Sequence, residues 1–161
     1  ARAAGAKTLH LLLVGDGMSR EGLQTLAAEL NDPDAVTFYG SVPAQQVPAF
    51  TSLADALLIS LADTPDLGMT IPGKLASYMA AGKPVVAAMN GAGAEAVQQS
   101  GGGLVSAACD EDALTQNLLA LYAMSAPQRG EMGQNAKEYY ETHYRRAELW
   151  RRLETCIVQG N

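Results

Sequence analysis

The sequence predicts an α/β fold: a doubly wound parallel sheet with helices on its faces and a helical C-terminal tail. Three observations predict it. Short continuous apolar runs, of which 9–14 and 85–88 are the clearest, lack the polar alternation of a sheet with one wet face, so they read as strands buried on both sides. Segments with apolar residues at helical spacing stand between those runs. Glycine and proline punctuate the changes from one period to the other.

The elements follow in order. Leu9-His10-Leu11-Leu12-Leu13-Val14 is a strand ended by Gly15-Asp16-Gly17. Leu23, Leu26, Ala27 and Leu30 sit at i, i+3, i+4 and i+7 of a helix, and Asn31-Asp32-Pro33-Asp34 breaks it. Val36-Thr37-Phe38-Tyr39 is β-branched and aromatic, and Gly40 stops it. A short helix covers 47–53, with Pro48 acceptable in its first turn. Ala56-Leu57-Leu58-Ile59 is a third strand, and 60–71 then reads as one long loop, a feature that often carries function. Pro72 suits the first position of the next helix, whose apolar face is Leu75, Tyr78 and Met79 and whose left-handed end is Gly82. Pro84 forbids continuation, and 85–88 is a strand. A turn at 90–93, a helix at 94–99 and a strand at 103–105 complete the alternation. Stripes at Leu114, Leu118, Leu121 and Tyr122, a segment at 132–141, and Leu149, Leu153, Cys156 and Ile157 make the remainder helical, with 126–161 as the tail.

Length and charge narrow the function. The 161 residues are one domain's worth, 48% hydrophobic and 17% charged, which excludes intrinsic disorder. A net charge of −6 argues against a nucleic acid held by its phosphates. No apolar run is long enough to span a bilayer. The two cysteines, Cys109 and Cys156, are too few for a disulfide framework or a zinc site and read as packing residues, so a reduced, cytoplasmic setting is expected. Residues 1–7 read as the frayed end of a piece excised from a longer protein.

Ligands of an open parallel sheet bind at the carboxyl ends of its strands. Three segments emerge there: Gly15-Asp16-Gly17, Gly40-Ser41-Val42, and the long loop leading to Thr70-Ile71-Pro72-Gly73-Lys74. The last is the best anion candidate. A helix N-terminus offers unpaired N–H groups and partial positive charge, and Gly73 lets an anion approach the backbone. Thr70 could add a hydroxyl and Lys74 a cation; equally, Thr70 could be an N-cap and Lys74 a surface lysine. Arg20 occupies the third glycine position of a dinucleotide fingerprint, so that motif fails, and Asp16 reads as a turn residue or N-cap. No Walker loop is present.

Other chemistry has little support. His10 lies in a strand and His143 in a late polar helix, without neighbours that suggest a triad or a metal site. Arg145-Arg146 and Arg151-Arg152 read as a solvated helix face, and Tyr139, Tyr140, Tyr144 and Trp150 as packing for the last helices. No catalytic acid, base or nucleophile stands out, and no metal or cofactor is expected.

One ordered string goes further. Leu13-Val14-Gly15-Asp16-Gly17, Val36-Thr37-Phe38-Tyr39-Gly40-Ser41-Val42, Ala54-Asp55-Ala56, and Pro72-Gly73-Lys74-Leu75-Ala76-Ser77-Tyr78-Met79-Ala80-Ala81-Gly82-Lys83-Pro84-Val85-Val86-Ala87 follow one another as they do in a known family. Glu95-Ala96-Val97 and Gly102-Gly103-Leu104-Val105 fit the same pattern. The chain resembles the C-terminal, donor-binding domain of retaining GT-B glycosyltransferases of family GT4. The resemblance implies a Rossmann-like domain, 1–161, that is the second half of a GT-B fold. It implies that this domain's first strand, with the basic residues that grip a diphosphate, and the N-terminal acceptor domain lie outside the chain. It implies a nucleotide-sugar donor, UDP-linked by expectation, transfer to an acceptor in bacterial surface-polysaccharide or glycoconjugate synthesis, and a lipid-linked saccharide as that acceptor. An isolated fragment would be inactive, and a peripheral place at the inner membrane would come through the absent domain.

By the same resemblance, Gly40, Ser41 and Val42 correspond to the loop that reads the nucleobase, and Thr70, Ile71, Gly73 and Lys74 to the amides that hold the diphosphate. The family's Glu-x7-Glu pair falls on Met69 and Ser77. Ser77 could make only a shorter contact to the ribose, and Met69 cannot replace a carboxylate beside the donor sugar. Pro72-Gly73-Lys74 is similar to a subset with Pro-Ser-Lys here, found in exopolysaccharide, capsule and O-antigen pathways. The loss of both glutamates keeps a second class open: a GT-B-like module that binds a nucleotide or a protein without catalysis.

Overall fold

In a computed structural model of the chain, residues 1–6, 8–30, 32 and 34–159 are described. They belong to two compact units, Ala1–Phe50 and Thr51–Asn161. The expectations at Lys7, Asn31 and Pro33 lie outside the described residues.

In the first unit, β1 (Leu11–Val14) pairs in parallel with β2 (Val36–Gly40), and α1 (Arg20–Glu29) connects them. His10 precedes β1 rather than lying in it, with Nδ1 2.6 Å from the Asp34 carbonyl oxygen. The apolar run of β1 is not enclosed on both faces: Leu12 is 41% exposed. Nor does α1 bury any residue, although Leu23 and Leu26 hold helical spacing. The first unit's strands form a two-stranded ribbon, which has too little area to cover a helix face as a wider sheet does. Tyr39 meets Phe50 edge to face, with centroids 4.7 Å apart. Phe50 belongs to α2 (Val47–Leu53), which a short 3-10 turn at Ala44–Gln46 introduces.

The second unit holds a three-stranded parallel sheet in the order β3 (Leu57–Ser60), β4 (Val85–Ala88), β5 (Gly103–Ser106). Leu57, Val85 and Gly103 share one level, and Ser60, Ala88 and Ser106 another. All four residues of the central β4 are buried, as the all-apolar Val-Val-Ala-Ala run requires. Around the sheet stand α4 (Gly73–Ala80), α5 (Ala92–Ser100), α6 (Glu111–Ala123) and α7 (Ala126–His143), and α8 (Arg146–Gln159) packs on α7. Leu75, Met79, Met89, Val97 and Ala136 pack on Val85 and Ala87 to make the core. Helix α7 comes very close: a Cβ on Gly133 would lie 2.2 Å from the Gly82 carbonyl oxygen. A Ser125–Gln128 capping box and a proline in the first turn start α7.

Several sequence expectations change here. The 60–71 loop contains a one-turn helix, α3 (Pro65–Gly68), introduced by Thr64 and a proline at its start. Pro72 is the N-cap of α4 rather than its first residue. Cys109 and Cys156 are exposed, so neither is a packing residue. Cys109 occupies the turn that hands β5 to α6, with φ +61, and Asp110 follows as the N-cap. Cys156 lies on α8, whose apolar stripe at Leu149, Leu153 and Ile157 stays exposed. Trp150 is likewise 53% exposed, while Tyr139, Tyr140 and Tyr144 do pack on the core. His143 stacks on Tyr139 at 3.9 Å, a structural role.

Candidate functional site

In the second unit the carboxyl end of β3 opens into a cleft of about 340 Å³. Leu58, Ile59, Ser60 and Leu61 form one wall, and Pro72, Gly73, Lys74 and Tyr78 the other. The second wall is the start of α4. No side chain caps this helix, because its N-cap is Pro72. The first-turn amides of a helix have no acceptor one turn back, so those of Gly73 and Lys74 face whatever enters. An ideal Cβ on Gly73 meets nothing within 4 Å. The glycine therefore serves no internal packing, and the space beside its backbone is open.

The neighbouring candidates take distinct places. Met69 ends α3 and is 76% exposed. Thr70 donates its hydroxyl to the Leu67 carbonyl at 3.2 Å, so it closes α3 and does not cap α4. Ile71 is exposed. Ser77 lies one turn after Gly73 and donates to the Gly73 carbonyl at 3.4 Å. Lys74 is an exposed cation at the cleft. Thus Met69, Thr70, Ile71, Gly73, Lys74 and Ser77 occupy one continuous segment, and Gly73 and Lys74 are the two that line the cleft.

Gly40, Ser41 and Val42 belong to the first unit. Gly40 ends β2 with φ +92, a conformation that favours glycine, and its carbonyl accepts from the Gly15 amide at 2.8 Å. Ser41 is exposed and Val42 half-buried. The Arg20 guanidinium comes within 3.5 Å of the Cβ position of Gly40 and lies 3.8 Å from Asp16. Asp16 also accepts from the Gly17 amide at 2.9 Å, and Ser19, not Asp16, is the N-cap of α1. Arg20 is thus a cation beside the Gly40-Ser41-Val42 loop, which the sequence reading noted only as a failed glycine.

Tyr78 is a second residue missed as a site element. The sequence assigned it to the apolar face of α4, and half of it is buried. That burial raises its hydroxyl's pKa above the ordinary value. Its spacing from Lys74, one turn along the helix, was the signal that both share a face. Asn90 is a third: its amide donates to Asp63 at 2.9 Å and accepts from the Ala108 N–H at 3.2 Å, tying together the loops that leave β3, β4 and β5. Among the described residues no group of three or more His, Cys, Asp or Glu could hold a metal ion. No helix among them is long and apolar enough to cross a membrane.

Parallel strands with flanking helices, and an uncapped helix start at a strand's carboxyl end, define a Rossmann-like class of domain. Known proteins make the family specific. The family described as "Glycosyl transferases group 1" matches residues 1–124, and the chain belongs to it. A GDP-mannose-dependent α-(1-6)-phosphatidylinositol monomannoside mannosyltransferase of Mycolicibacterium smegmatis is 33% identical over 108 residues, covering 65% of this chain and 28% of that protein. Anabaena HepE, solved in complex with UDP, superposes with a TM-score of 0.80 at 18% identity, covering 98% of this chain and 43% of that one. WaaG, a glycosyltransferase involved in lipopolysaccharide biosynthesis, superposes at 0.67 with 24% identity, covering 84% and 34%. The last two show the fold, which is that of GT-B glycosyltransferases. The chain spans about a quarter of the length of the curated relative, and under half of the two solved chains.

Proposed function

We propose that this chain is the nucleotide-sugar-binding domain of a retaining glycosyltransferase that builds a bacterial surface glycan. The observation that carries the reading is the start of α4: uncapped, glycine-first, and open onto the cleft beyond β3. A diphosphate carries the charge and the acceptor oxygens that such a terminus binds. In this reading the amides of Gly73 and Lys74 hold the diphosphate, Lys74 adds long-range attraction, and Ser77 approaches the ribose. Gly40, Ser41 and Val42 read the base. An acceptor domain outside this sequence brings the second substrate, a lipid-linked saccharide, so transfer needs the two domains together. No metal takes part, because amides and cations neutralise the leaving diphosphate.

UDP is the nucleotide expected from the sequence, and the UDP complex of HepE is consistent with it. One observation favours GDP-mannose as a second reading: the relative named for that donor is nearer in sequence, at 33% against 18% identity. Calorimetric titration of the full chain with UDP, GDP and their hexose conjugates separates the two. Binding of UDP at least several-fold tighter than GDP supports the first reading, and the reverse order supports the second. Failure of all four to bind refutes the donor-domain proposal. Nucleotide binding without sugar transfer by the complete two-domain protein would assign the non-catalytic module instead.

A further inference from the structure

The segment that presents Gly73 and Lys74 is long and exposed, yet it is held at three points by one short turn. It comprises Asn90, Gly91 and the first two residues of α5, Ala92 and Gly93, so α5 starts two residues earlier than the sequence suggests. Asn90 bonds Asp63, just before α3, and is itself held by the Ala108 amide. At Gly91 the backbone of α3 is pressed against the turn: a Cβ there would lie 1.9 Å from the Gly68 carbonyl oxygen and 2.6 Å from its carbon. Gly91 also has φ +74, which side-chain-bearing residues rarely adopt. At Gly93 a Cβ would lie 3.1 Å from Pro72 Cδ and 3.0 Å from Met89 Sδ. Pro72 is the N-cap of α4.

The three contacts fall at the entry to α3, at its last residue, and at the cap of the anion-binding helix. They bracket residues 69–71 between a backbone contact at Gly68 and a ring contact at Pro72. Met89 is buried among the core residues, so the turn is anchored to the sheet rather than free to follow the loop. We infer that Asn90, Gly91 and Gly93 are positioning residues that brace the 61–72 loop and so set the donor affinity of the α4 start. This inference rests on the donor-binding reading above, but its geometry does not depend on which nucleotide binds.

The test compares four variants in the full chain by hydrogen exchange and by UDP and GDP titration. Gly91→Ala should displace Gly68, speed exchange of amides across 64–75, and weaken nucleotide binding about tenfold or more, because small misplacements of a binding group are costly. Gly93→Ala meets the mobile end of Met89 and a ring edge, so its effect should be smaller, about threefold. Asn90→Ala introduces no clash and removes only the tie; it should loosen the same amides and weaken binding about threefold. It therefore keeps the proposal testable if Gly91→Ala does not fold. Gly133→Ala is the structural control: its Cβ meets Gly82 at 2.2 Å, away from the loop. It should lower Tm yet leave the folded protein's nucleotide affinity unchanged. Unchanged loop exchange in both Gly91→Ala and Asn90→Ala overturns the brace. So does a Kd within twofold of wild type despite a loosened loop. If the wild-type chain binds neither nucleotide, the donor reading fails, and loop exchange alone still decides whether the brace exists.

Discussion

Replacing Gly73 by valine separates ligand geometry from protein packing. The Cβ position of Gly73 has no protein neighbour within 4 Å, and its φ is not in the left-handed region, so the folded chain accommodates the side chain. Valine is also a slightly better helix residue than glycine, by some tenths of a kcal/mol up to about 0.5, so Tm should hold or rise. A bound diphosphate meets the opposite situation, because the isopropyl group stands between it and the first-turn amides. Hydrogen bonds to charged groups contribute about 1.5–3 kcal/mol, which corresponds to a loss of about ten- to hundredfold in affinity. Titration calorimetry with UDP and GDP reads the affinity, and a thermal melt of the same sample reads the fold. A Kd within twofold of wild type would refute the placement of the diphosphate at α4. A fall of several degrees in Tm with unchanged affinity would show that Gly73 serves the helix start instead.

Other outcomes follow from the same geometry. Lys74→Ala should weaken nucleotide binding only a few-fold, with most of the loss disappearing at high salt, because an exposed ammonium adds charge but little geometry. Leu75→Ala empties a fully buried site and should cost about 2–5 kcal/mol in denaturant unfolding. Gly130→Ala, in α7 with open space at its Cβ, should stabilise by about 0.5–1 kcal/mol, the opposite sign to Gly133→Ala. Hydrogen bonds from Arg151 and then Arg152 hold the Glu148 carboxyl down at about 2, below its ordinary 4.5. A depressed carboxylate contributes fully above the ordinary value and is lost as pH falls through the folded one. Helicity of α8 should therefore be flat above pH 4.5 and decline toward pH 2, and Glu148→Gln should remove that dependence in circular dichroism.

Much of this arrangement was legible because its causes are local. Val85-Val86-Ala87-Ala88 is apolar at every position and is buried along its whole length in the central strand, whereas the equally apolar Leu11–Val14 run lies in a two-stranded ribbon and stays partly exposed. Gly40 and Gly82 end their elements with positive φ, as glycine after a periodic segment suggests. The α4 start was visible because proline, glycine and a cation follow a long loop. What escaped depends on distant partners. The helical turn at Pro65–Gly68 is too short for periodicity to reveal, and it is held by Gly91, more than twenty residues later. Gly91 and Gly93 read as ordinary turn residues until the backbone pressed on them is known. Periodicity placed the α8 stripe correctly but not its exposure, since spacing names a face and not what covers it. Cys109 and Cys156 were assigned by residue type alone, which says nothing of the turn and helix that carry them outward.

The close approach of α7 has a consequence for where this domain can be cut. The family match ends at residue 124, before α7 begins. Yet Ala136 is fully buried, and the backbones of Gly82 and Gly102 lie directly against α7. Shortening the chain to the matched region would uncover the ends of two helices and remove a wall of the core. Helix α7 is thus part of the same cooperative folding unit as the sheet. A boundary drawn by sequence likeness and one drawn by unfolding therefore differ here by at least the eighteen residues of α7. Expression of 1–124 alone should yield a species with fluctuating packing, whereas 1–145 keeps the whole contact.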